Sequence, residues 1–446
     1  MTGRGLRAGW RRTAAAALGL LWAAGSLRAQ GGPHPAARPP GPPGSELTIS
    51  LVTMGVGEHV WEMFGHNAIW VHDAARGTDR AYNYGLFDFR EHDFLLHFIQ
   101  GRMWYWMAGL DLDAMVESYR RADRSVWVQE LNLTPAQRVA LRDFLEWNER
   151  PENRYYRYDY YRDNCSTRVR DALDRALGGR IKAETDTIRT GTTYRSHTER
   201  LTAPDLPLYT GLLFGLGEPA DHRLTAWEEM FLPLRLRFWI RRVTVSDEAG
   251  RPVPLVRAER TLFLSDRPAP RESAPRWVPG YLAAGLALGG ALAALGRARS
   301  RRAGAAFAWL GAAWTLAMGS VGAILGFLWA FTDHAVAYRN ENLFQANLLA
   351  LPLALLLALG ARRPERTARP ALALALLAAA VSLAGVAVKL LPGFAQSNAE
   401  VLALAVPAHL GLAAGLALRA RAAAQSASRI PSLAASISSP KPRARA

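Results

Sequence analysis

Five long apolar segments in the C-terminal half constrain the fold more than any other feature of the sequence. They are Trp277–Leu295, Ala305–Phe331, Leu343–Ala361, Ala371–Leu391 and Val401–Leu418. Each segment has enough consecutive apolar residues to cross a hydrocarbon layer of about 30 Å as a helix. We therefore predict an all-α, five-helix transmembrane domain over residues 277–420.

The connections between these segments alternate in charge. Basic residues collect in Arg297–Arg302, in Arg362–Arg369 and from Arg419 onward, whereas Thr332–Asn342 and Pro392–Glu400 carry almost none. The positive-inside rule places the basic connections in the cytoplasm and the region before the first segment outside. The same clusters account for much of the formal charge of +16, so we do not expect a nucleic-acid partner.

The N-terminus has the layout of a secretory signal. Four arginines precede an apolar run from Thr13 to Leu27, and Ala29 offers a cleavage point. We interpret residues 1–29 as a signal peptide, with a retained anchor as the alternative, and residues 30–45 as a Pro/Gly-rich linker. The basic tail, residues 421–446, is expected to be cytoplasmic and disordered.

Residues 46–268 have the pattern of a folded α+β domain. Alternating apolar positions predict strands at Leu47–Thr53, Asn67–His72, Arg80–Gly85 and Ser125–Leu133. Helices are predicted at Asp111–Arg121 and, from the capping box at Thr134–Gln137, to about Glu149. After a further helix, we predict a polar loop through Arg195 and Arg200, an apolar patch at Leu208–Gly217 and a strand at Phe238–Val245.

Cys165 is the only cysteine in the chain, so it has no disulfide partner there. Asn164 is a natural N-cap, which places Cys165 in the first turn of a helix, where we expect unpaired N–H groups to lower the thiol pKa. The alternative is a small buried residue. Export to an oxidising compartment makes an unused free thiol a liability, which favours a functional role.

A cysteine nucleophile needs a base, and His66 has the best sequence context. It follows Gly65 at the start of a predicted strand, where the backbone is rigid but near the domain edge. Other histidines are available, namely His59, His72, His92 and His97. Spacing alone does not choose among them.

Three motifs occur in order: Gly65-His66-Asn67-Ala68-Ile69-Trp70-Val71, Tyr82-Asn83-Tyr84-Gly85-Leu86-Phe87-Asp88-Phe89 and Asp163-Asn164-Cys165-Ser166-Thr167-Arg168. Together with the five apolar segments they resemble the Lnb family. That resemblance implies a periplasmic domain with a circularly permuted papain-like fold, similar to NlpC-type amidases and lecithin:retinol acyltransferase, followed by five membrane helices. The histidine strand precedes the cysteine helix in such folds, as it does here.

The resemblance also implies an activity, lipoprotein N-acylation in the bacterial inner membrane. An acyl chain would pass from a phospholipid to Cys165 as a thioester, and then to the α-amino group of a diacylglyceryl-cysteine. His66 would act as general base and then acid. Asn83 is our choice for the orienting group, with Asp88 and His72 as rivals.

Supporting roles follow from the same motifs. The backbone N–H of Cys165 and the side chain of Asn164 are the expected oxyanion donors, with Arg168 as a supporting residue. Trp104 and Trp106 are expected to contact substrate, or else to be ordinary core residues. A polar loop between the second and third apolar segments is also expected to contact substrate, or else to cap helix ends. The loop residues are Asp333, His334, Asn340 and Asn342.

Two other functional classes compete with the acyltransferase. A periplasmic cysteine amidase or peptidase would use the same dyad on cell-wall or peptide substrates, with the helices as an anchor. A non-enzymatic subunit of a membrane complex would not need both Cys165 and His66. No cofactor and no metal are expected, because the sequence has no phosphate-binding loop and no zinc-type spacing.

Overall fold

The computed structural model describes residues 41–362 and 364–437. The predicted signal peptide, the linker up to residue 40 and the end of the tail from residue 438 lie outside this range. The strands are β1 Leu47–Met54, β2 His66–Asp73, β3 Thr78–Leu86, β4 Trp104–Asp111, β5 Val126–Leu131, β6 Tyr155–Arg157, β7 Arg189–Thr193, β8 Arg223–Thr225, β9 Thr244–Ser246, β10 Pro252–Pro254 and β11 Val256–Phe263.

The helices of the extracytoplasmic region are α1 Phe94–Gln100, α2 Leu112–Arg121, α3 Pro135–Glu149, α4 Cys165–Ala176, α5 Arg180–Thr185, α6 Tyr194–Thr202, α7 Leu206–Gly215, α8 Ala226–Glu229 and α9 Pro233–Ile240. The C-terminal half contributes α10 Val278–Arg297, α11 Arg301–Phe331, α12 Ala350–Gly360, α13 Pro364–Ala387 and α14 Ala399–Ile437. Short 3-10 turns lie at Glu218–Asp221, Ala335–Ala337, Glu341–Phe344 and Val388–Leu390.

A seven-stranded antiparallel sheet forms the centre of the extracytoplasmic domain. Its strand order is β11-β5-β1-β2-β3-β4-β6, so the histidine strand β2 lies between β1 and β3. The four predicted strands and both predicted helices are confirmed within a few residues, including the capping box that starts α3. The alternation of side chains in the sequence predicted these strands correctly, because successive residues of a strand point to opposite faces of the sheet and each face packs against its own core.

The two faces pack against different helices. Ile69 and Val71 of β2 join a large core with Leu145 of α3 and Leu173 of α4. On the other face, Ala68 of the same strand packs in a cluster with α2. Since β2 contributes to both layers, its first residues lie between α4 and α2.

The polar loop predicted through Arg195 and Arg200 is wrong, because this stretch forms helix α6. Arg195 and Arg200 are buried, and Arg195 pairs with Asp221 at 2.9 Å. A run of charged residues suggests a loop in a sequence, but here Asp221 compensates the burial of Arg195, and hydrogen bonds to His197 and to the carbonyl of Arg271 satisfy Arg200. The strand predicted at Phe238–Val245 is also wrong in its first part, where α9 continues to Ile240.

Four helices in the described range are long and apolar enough to span a membrane: Val278–Arg297, Arg301–Phe331, Glu365–Leu390 and Ala399–Gln425. The third predicted span, Leu343–Ala361, is helical only in the 11 residues of α12. At 1.5 Å per residue this helix covers roughly 16 Å, about half a bilayer. The tail prediction also needs correction, because α14 continues to Ile437.

The segment before α12 is non-helical but runs beside α11. A side chain at Gly322 would overlap the carbonyl of Ala346, and one at Gly319 would approach Leu351 within 2.7 Å. Ala346 therefore lies roughly 14 Å along the α11 axis from Phe331. From the end of α11 the chain runs back beside that helix without α-helix before α12 begins.

Helix α7 packs beside the segment that precedes α12. Its residues Tyr209, Leu213 and Phe214 pack in one buried cluster with Met318 of α11 and with Ala346. The sequence places this apolar patch in the extracytoplasmic domain, and α7 packs both against α6 of that domain and against the membrane helices α11 and α14. Helix α7 is apolar on all sides, as expected for a helix surrounded by such neighbours.

Candidate active site

Helix α4 begins with Cys165, and a dense set of hydrogen bonds fixes its first turn. The carboxamide oxygen of Asn164 accepts from the backbone N–H groups of Ser166 and Thr167, which confirms the predicted N-cap. Asn164 Nδ2 donates to the carbonyls of Tyr160 (2.9 Å) and Phe231 (3.0 Å). Its side chain is therefore fully used in holding the helix start, and its amide is not available as an oxyanion donor.

His66 is the first residue of β2, and its ring is oriented by Asn83 of β3. Asn83 Nδ2 donates to the carbonyl of Ala81, so Asn83 Oδ1 must accept from His66 Nε2 across 3.1 Å. This bond places the proton of the neutral imidazole on Nε2 and leaves Nδ1 as the basic nitrogen. Asn83 is thus the orienting partner that the structure brings to His66.

The two rivals of Asn83 lie elsewhere. Asp88 forms an ion pair with Arg90 in an exposed turn, at 3.1 Å. His72 lies farther along β2 and contacts Asp79 at 2.9 Å. Neither residue is hydrogen-bonded to His66.

A buried hydrogen bond ties the cysteine helix to the histidine strand. Ser166 Oγ, next to Cys165, lies 2.9 Å from the carboxamide oxygen of Asn67, next to His66. The backbone N–H of Asn67 also acts on the Cys165 thiol, favouring its ionised form. Within the described residues, no hydrogen bond joins His66 to the sulfur itself, so the two residues are connected through their chain neighbours Asn67 and Ser166.

Burial dominates the ionisation of both groups. It raises the pKa of the half-buried Cys165 thiol to about 11, against the opposing effects of the N–H groups of Asn67, Ser166 and Cys165. The prediction that the helix N-terminus lowers this pKa is therefore wrong in its net direction. Burial, followed by the charge of Arg124, lowers the pKa of His66 to about 4. Both groups are neutral at neutral pH, so proton transfer must accompany attack on a substrate.

Arg124 was missed by the sequence analysis. This buried guanidinium pairs with Glu62 at 3.2 Å and stacks over the Tyr119 ring, with its Cζ 4.6 Å from the centroid. Its charge disfavours a second positive charge on His66 and favours a thiolate on Cys165. No local signal marks it, because it follows α2 and reaches the site only through the fold.

Gly85 and Tyr156 complete the surroundings of the thiol. Gly85 has φ +85°, and a Cβ there would lie 3.2 Å from the Cβ of Cys165 and 3.8 Å from the Tyr156 hydroxyl. That hydroxyl is buried and has no hydrogen-bond partner in the described part of the chain. Burial raises the pKa of Tyr156 well above its usual value, so the hydroxyl is a neutral donor. Both residues lie in the predicted motifs or beside them, yet only the fold turns them toward Cys165.

The remaining predicted residues have clear positions. Arg168 pairs with Asp163 and stacks on Tyr156 at 4.3 Å. Trp104 and Trp106 lie on the outward side of β4, opposite the buried side chains of Met103, Tyr105 and Met107. The loop residues are bonded to two short helices: Asp333 and His334 to α1, and Asn340 and Asn342 to α7.

Asn340 and Asn342 act as caps in this structure. Their side-chain amides donate to the carbonyls of Leu213, Phe214 and Gly215 at 2.8–3.1 Å. The last carbonyls of a helix have no partner within the helix, and leaving them bare in an apolar setting is costly. Within residues 41–362 and 364–437, no group of three or more His, Cys, Asp or Glu side chains is placed to hold a metal ion.

These features define a membrane protein with an extracytoplasmic α+β domain that carries a cysteine–histidine–asparagine site. Two family models match the chain: the Lnb N-terminal periplasmic domain over residues 43–200 and the Lnb transmembrane domain over residues 282–410. Together they cover more than half of the sequence, and the chain belongs to the Lnb family. Comparisons with curated proteins and with solved structures give no match.

Proposed function

We propose that the chain is a cysteine acyltransferase of the bacterial inner membrane that N-acylates lipoproteins, with a phospholipid as acyl donor. The observation that carries the proposal is the Ser166–Asn67 bond, which brings the cysteine helix and the Asn83-oriented histidine together within the matched periplasmic domain. The strand-then-helix order supports a permuted papain-like arrangement. Both substrates are lipids or lipid-anchored, which suits a site joined to a membrane domain.

In the first half-reaction, Sγ of Cys165 attacks the ester carbonyl of the phospholipid while the thiol proton passes to Nδ1 of His66. Collapse of the tetrahedral intermediate breaks the ester C–O bond, and His66 returns the proton to the leaving lysophospholipid oxygen. The negative oxygen of the intermediate is stabilised by the backbone N–H groups of Cys165 and Asn67 and by the Tyr156 hydroxyl. The Asn164 side chain is not among these donors, because its amide donates to the carbonyls of Tyr160 and Phe231.

In the second half-reaction, the α-amino group of the diacylglyceryl-cysteine attacks the thioester. His66 removes a proton from the attacking amine, the C–S bond breaks, and the sulfur recovers a proton. The buried surroundings of Cys165, which raise its thiol pKa, also keep water from discharging the thioester.

Intact-protein mass spectrometry tests the proposal directly. Full-length protein in phospholipid nanodiscs, denatured without an acceptor, should carry one fatty-acyl unit that neutral hydroxylamine removes. A diacylated lipopeptide with a free amine should discharge it, whereas the same peptide with a blocked amine should not. Cys165→Ala and His66→Ala proteins should remain unloaded. Cleavage of cell-wall peptide without any adduct on Cys165 would instead identify a periplasmic amidase or peptidase.

A further inference from the structure

Helix α1 has a wide apolar face, with His97 and Gln100 together on the remaining side, yet none of its residues is buried. Five of its seven residues are Phe, Leu or Ile, and Leu95 and Leu96 are 68% and 51% exposed. The apolar face of an amphipathic helix is normally covered by protein or by lipid. A helix of this length is also too short to persist by itself, so its setting must stabilise it.

The ends of α1 and α11 are bonded to each other. The backbone N–H of Asp333 donates to the carbonyl of Gln100 (2.8 Å), and His334 Nε2 donates to that of Phe98 (2.9 Å). Asp333 and His334 follow directly on Phe331 and Thr332, where α11 ends. Helix α1 is therefore held at the level where a membrane-spanning helix reaches the outer surface.

Exposed aromatic residues also lie on α11, close to the end that is bonded to α1. Phe327, Trp329 and Phe331 are exposed near the outer end of α11, Phe331 to 72%. On the other side, Phe94 of α1 contacts Phe89, and Phe89 contacts Trp61, with ring centroids 5.1 and 5.5 Å apart. Aromatic residues concentrate at the membrane–water interface in this way.

The charges beside α1 fit the same location. Arg102 and Arg157 both bond the single carboxylate of Asp333 at 2.9 Å. Two guanidinium groups share one carboxylate, which leaves one positive charge beside the C-terminal end of α1, whereas Glu91 and Asp93 precede its other end. Basic side chains flanking an apolar surface are typical of segments that lie in the interface.

We propose that α1, together with Phe89 and Trp61, is immersed in the outer-leaflet interface of the phospholipid bilayer. We further propose that α1 delivers the acyl donor, a role that rests on the proposed function. Neighbouring aromatic rings connect Phe94 to Phe87, Tyr105 and Tyr158, with centroids 4.3–5.9 Å apart. Tyr158 lies beside Gly85 and hence beside Cys165. The outer leaflet is thus the source of the chain that reaches the thiol.

Fluorescence quenching tests the membrane contact without any turnover. Because Cys165 is the only cysteine, the Cys165→Ala protein accepts a single probe, at Leu96→Cys or at the control Leu110→Cys. Leu110 is also exposed, at 40%, but lies at the far end of β4 beside Asp111, Arg80 and Glu149. In nanodiscs of phosphatidylethanolamine and phosphatidylglycerol, a probe at 96 should be quenched by spin-labelled lipid and shielded from iodide. Equal iodide quenching at both positions would overturn the proposal.

A donor comparison tests the delivery role. In the protein that retains Cys165, Leu96→Asp should reduce acyl loading from bilayer phospholipid by about tenfold, because a carboxylate opposes insertion. Loading from dissolved dihexanoylphosphatidylcholine should change less than about twofold, since that donor does not need the interface. Leu110→Asp should leave both unchanged. An equal loss of loading with both donors would refute delivery through α1. The quenching experiment does not depend on catalytic activity, so its result tests membrane contact even if the proposed function is wrong.

Discussion

Ser166 Oγ and the carboxamide oxygen of Asn67 lie 2.9 Å apart, and Ser166 Oγ also lies 2.7 Å from the carbonyl of Met230. Ser166 and Asn67 are buried and stand immediately after the two residues proposed to do the chemistry. Its single proton is shared between these two acceptor oxygens, so the Ser166 hydroxyl joins three elements, β2, α4 and the segment after α8. The relative position of Cys165 and His66 depends on this junction.

Ser166→Ala should reduce acyl loading by about 10²-fold, because a shift of about 1 Å between nucleophile and base is enough for such a loss. It should also cost about 1–3 kcal/mol of stability, since Asn67 loses a buried partner. Ser196→Ala, which removes a cap from α6, is the matched control for stability. Loading rates in nanodiscs and apparent melting temperatures measure both effects. Wild-type loading in Ser166→Ala would contradict the positioning role.

Gly85→Ala should block acylation more than it destabilises the fold. The positive φ of Gly85 makes any side chain costly by roughly 1–2 kcal/mol, and a methyl group there would meet the Cβ of Cys165 at 3.2 Å. Gly191→Ala, also at positive φ but with open space around the site, isolates the backbone cost. Intact mass after incubation with phospholipid provides the comparison. Equal loading of the two variants would show that the space beside Cys165 is not needed.

The thiol of the resting protein should react slowly at neutral pH. Burial raises the pKa of Cys165 to about 11, so the thiolate is a minor species that grows as pH rises toward that value. Iodoacetamide should therefore label Cys165 at a rate that increases about tenfold per pH unit from pH 7 to 10. Mass spectrometry of the labelled peptide follows the rate. A plateau below pH 8 would instead show the lowered pKa that the helix N-terminus alone predicts.

Glu229 should be a large contributor to stability. Burial by itself raises its pKa, but hydrogen bonds from His197, Arg235 and Trp239 overcome this and lower it to about 2. The unfolded carboxylate takes up a proton near pH 4.5, so this stabilisation is present above that pH and is lost as pH falls toward 2. Glu229→Gln should cost about 3–5 kcal/mol by leaving Arg235 uncompensated. The half-exposed Glu228, which pairs with His222, should tolerate the same change far better in thermal unfolding.

Reporter fusions should decide whether the broken third segment crosses the membrane. We expect fusions after Arg301, Arg366 and Arg421 to be cytoplasmic and those after Asn340 and Asn398 to be external. The fusion after Arg366 is the critical one, because it follows α12. An external reporter there would mean that the segment before α12 and α12 itself return to the outer side.

Much of the protein is determined by the sequence alone. Four of the seven strands of the central sheet (β1, β2, β3 and β5), the Asn164 and Thr134 caps, the single thiol and the apolar segments follow from local patterns, because each reflects a preference of the chain within a few residues. Family motifs added His66 and Asn83. The hydrogen bond between these two residues connects neighbouring strands, so local pairing was enough to anticipate it.

The rest was decided by tertiary structure. An apolar run does not reveal that α7 packs against Ala346 in the third apolar segment, since that contact joins stretches more than a hundred residues apart. The helix N-terminus favours a thiolate at Cys165, but enclosure by the folded chain raises the pKa of its thiol, and enclosure exists only after folding. Arg124, Tyr156 and Gly85 reach the thiol through separate elements. Their contribution arises from distances in space, which no single stretch of sequence contains.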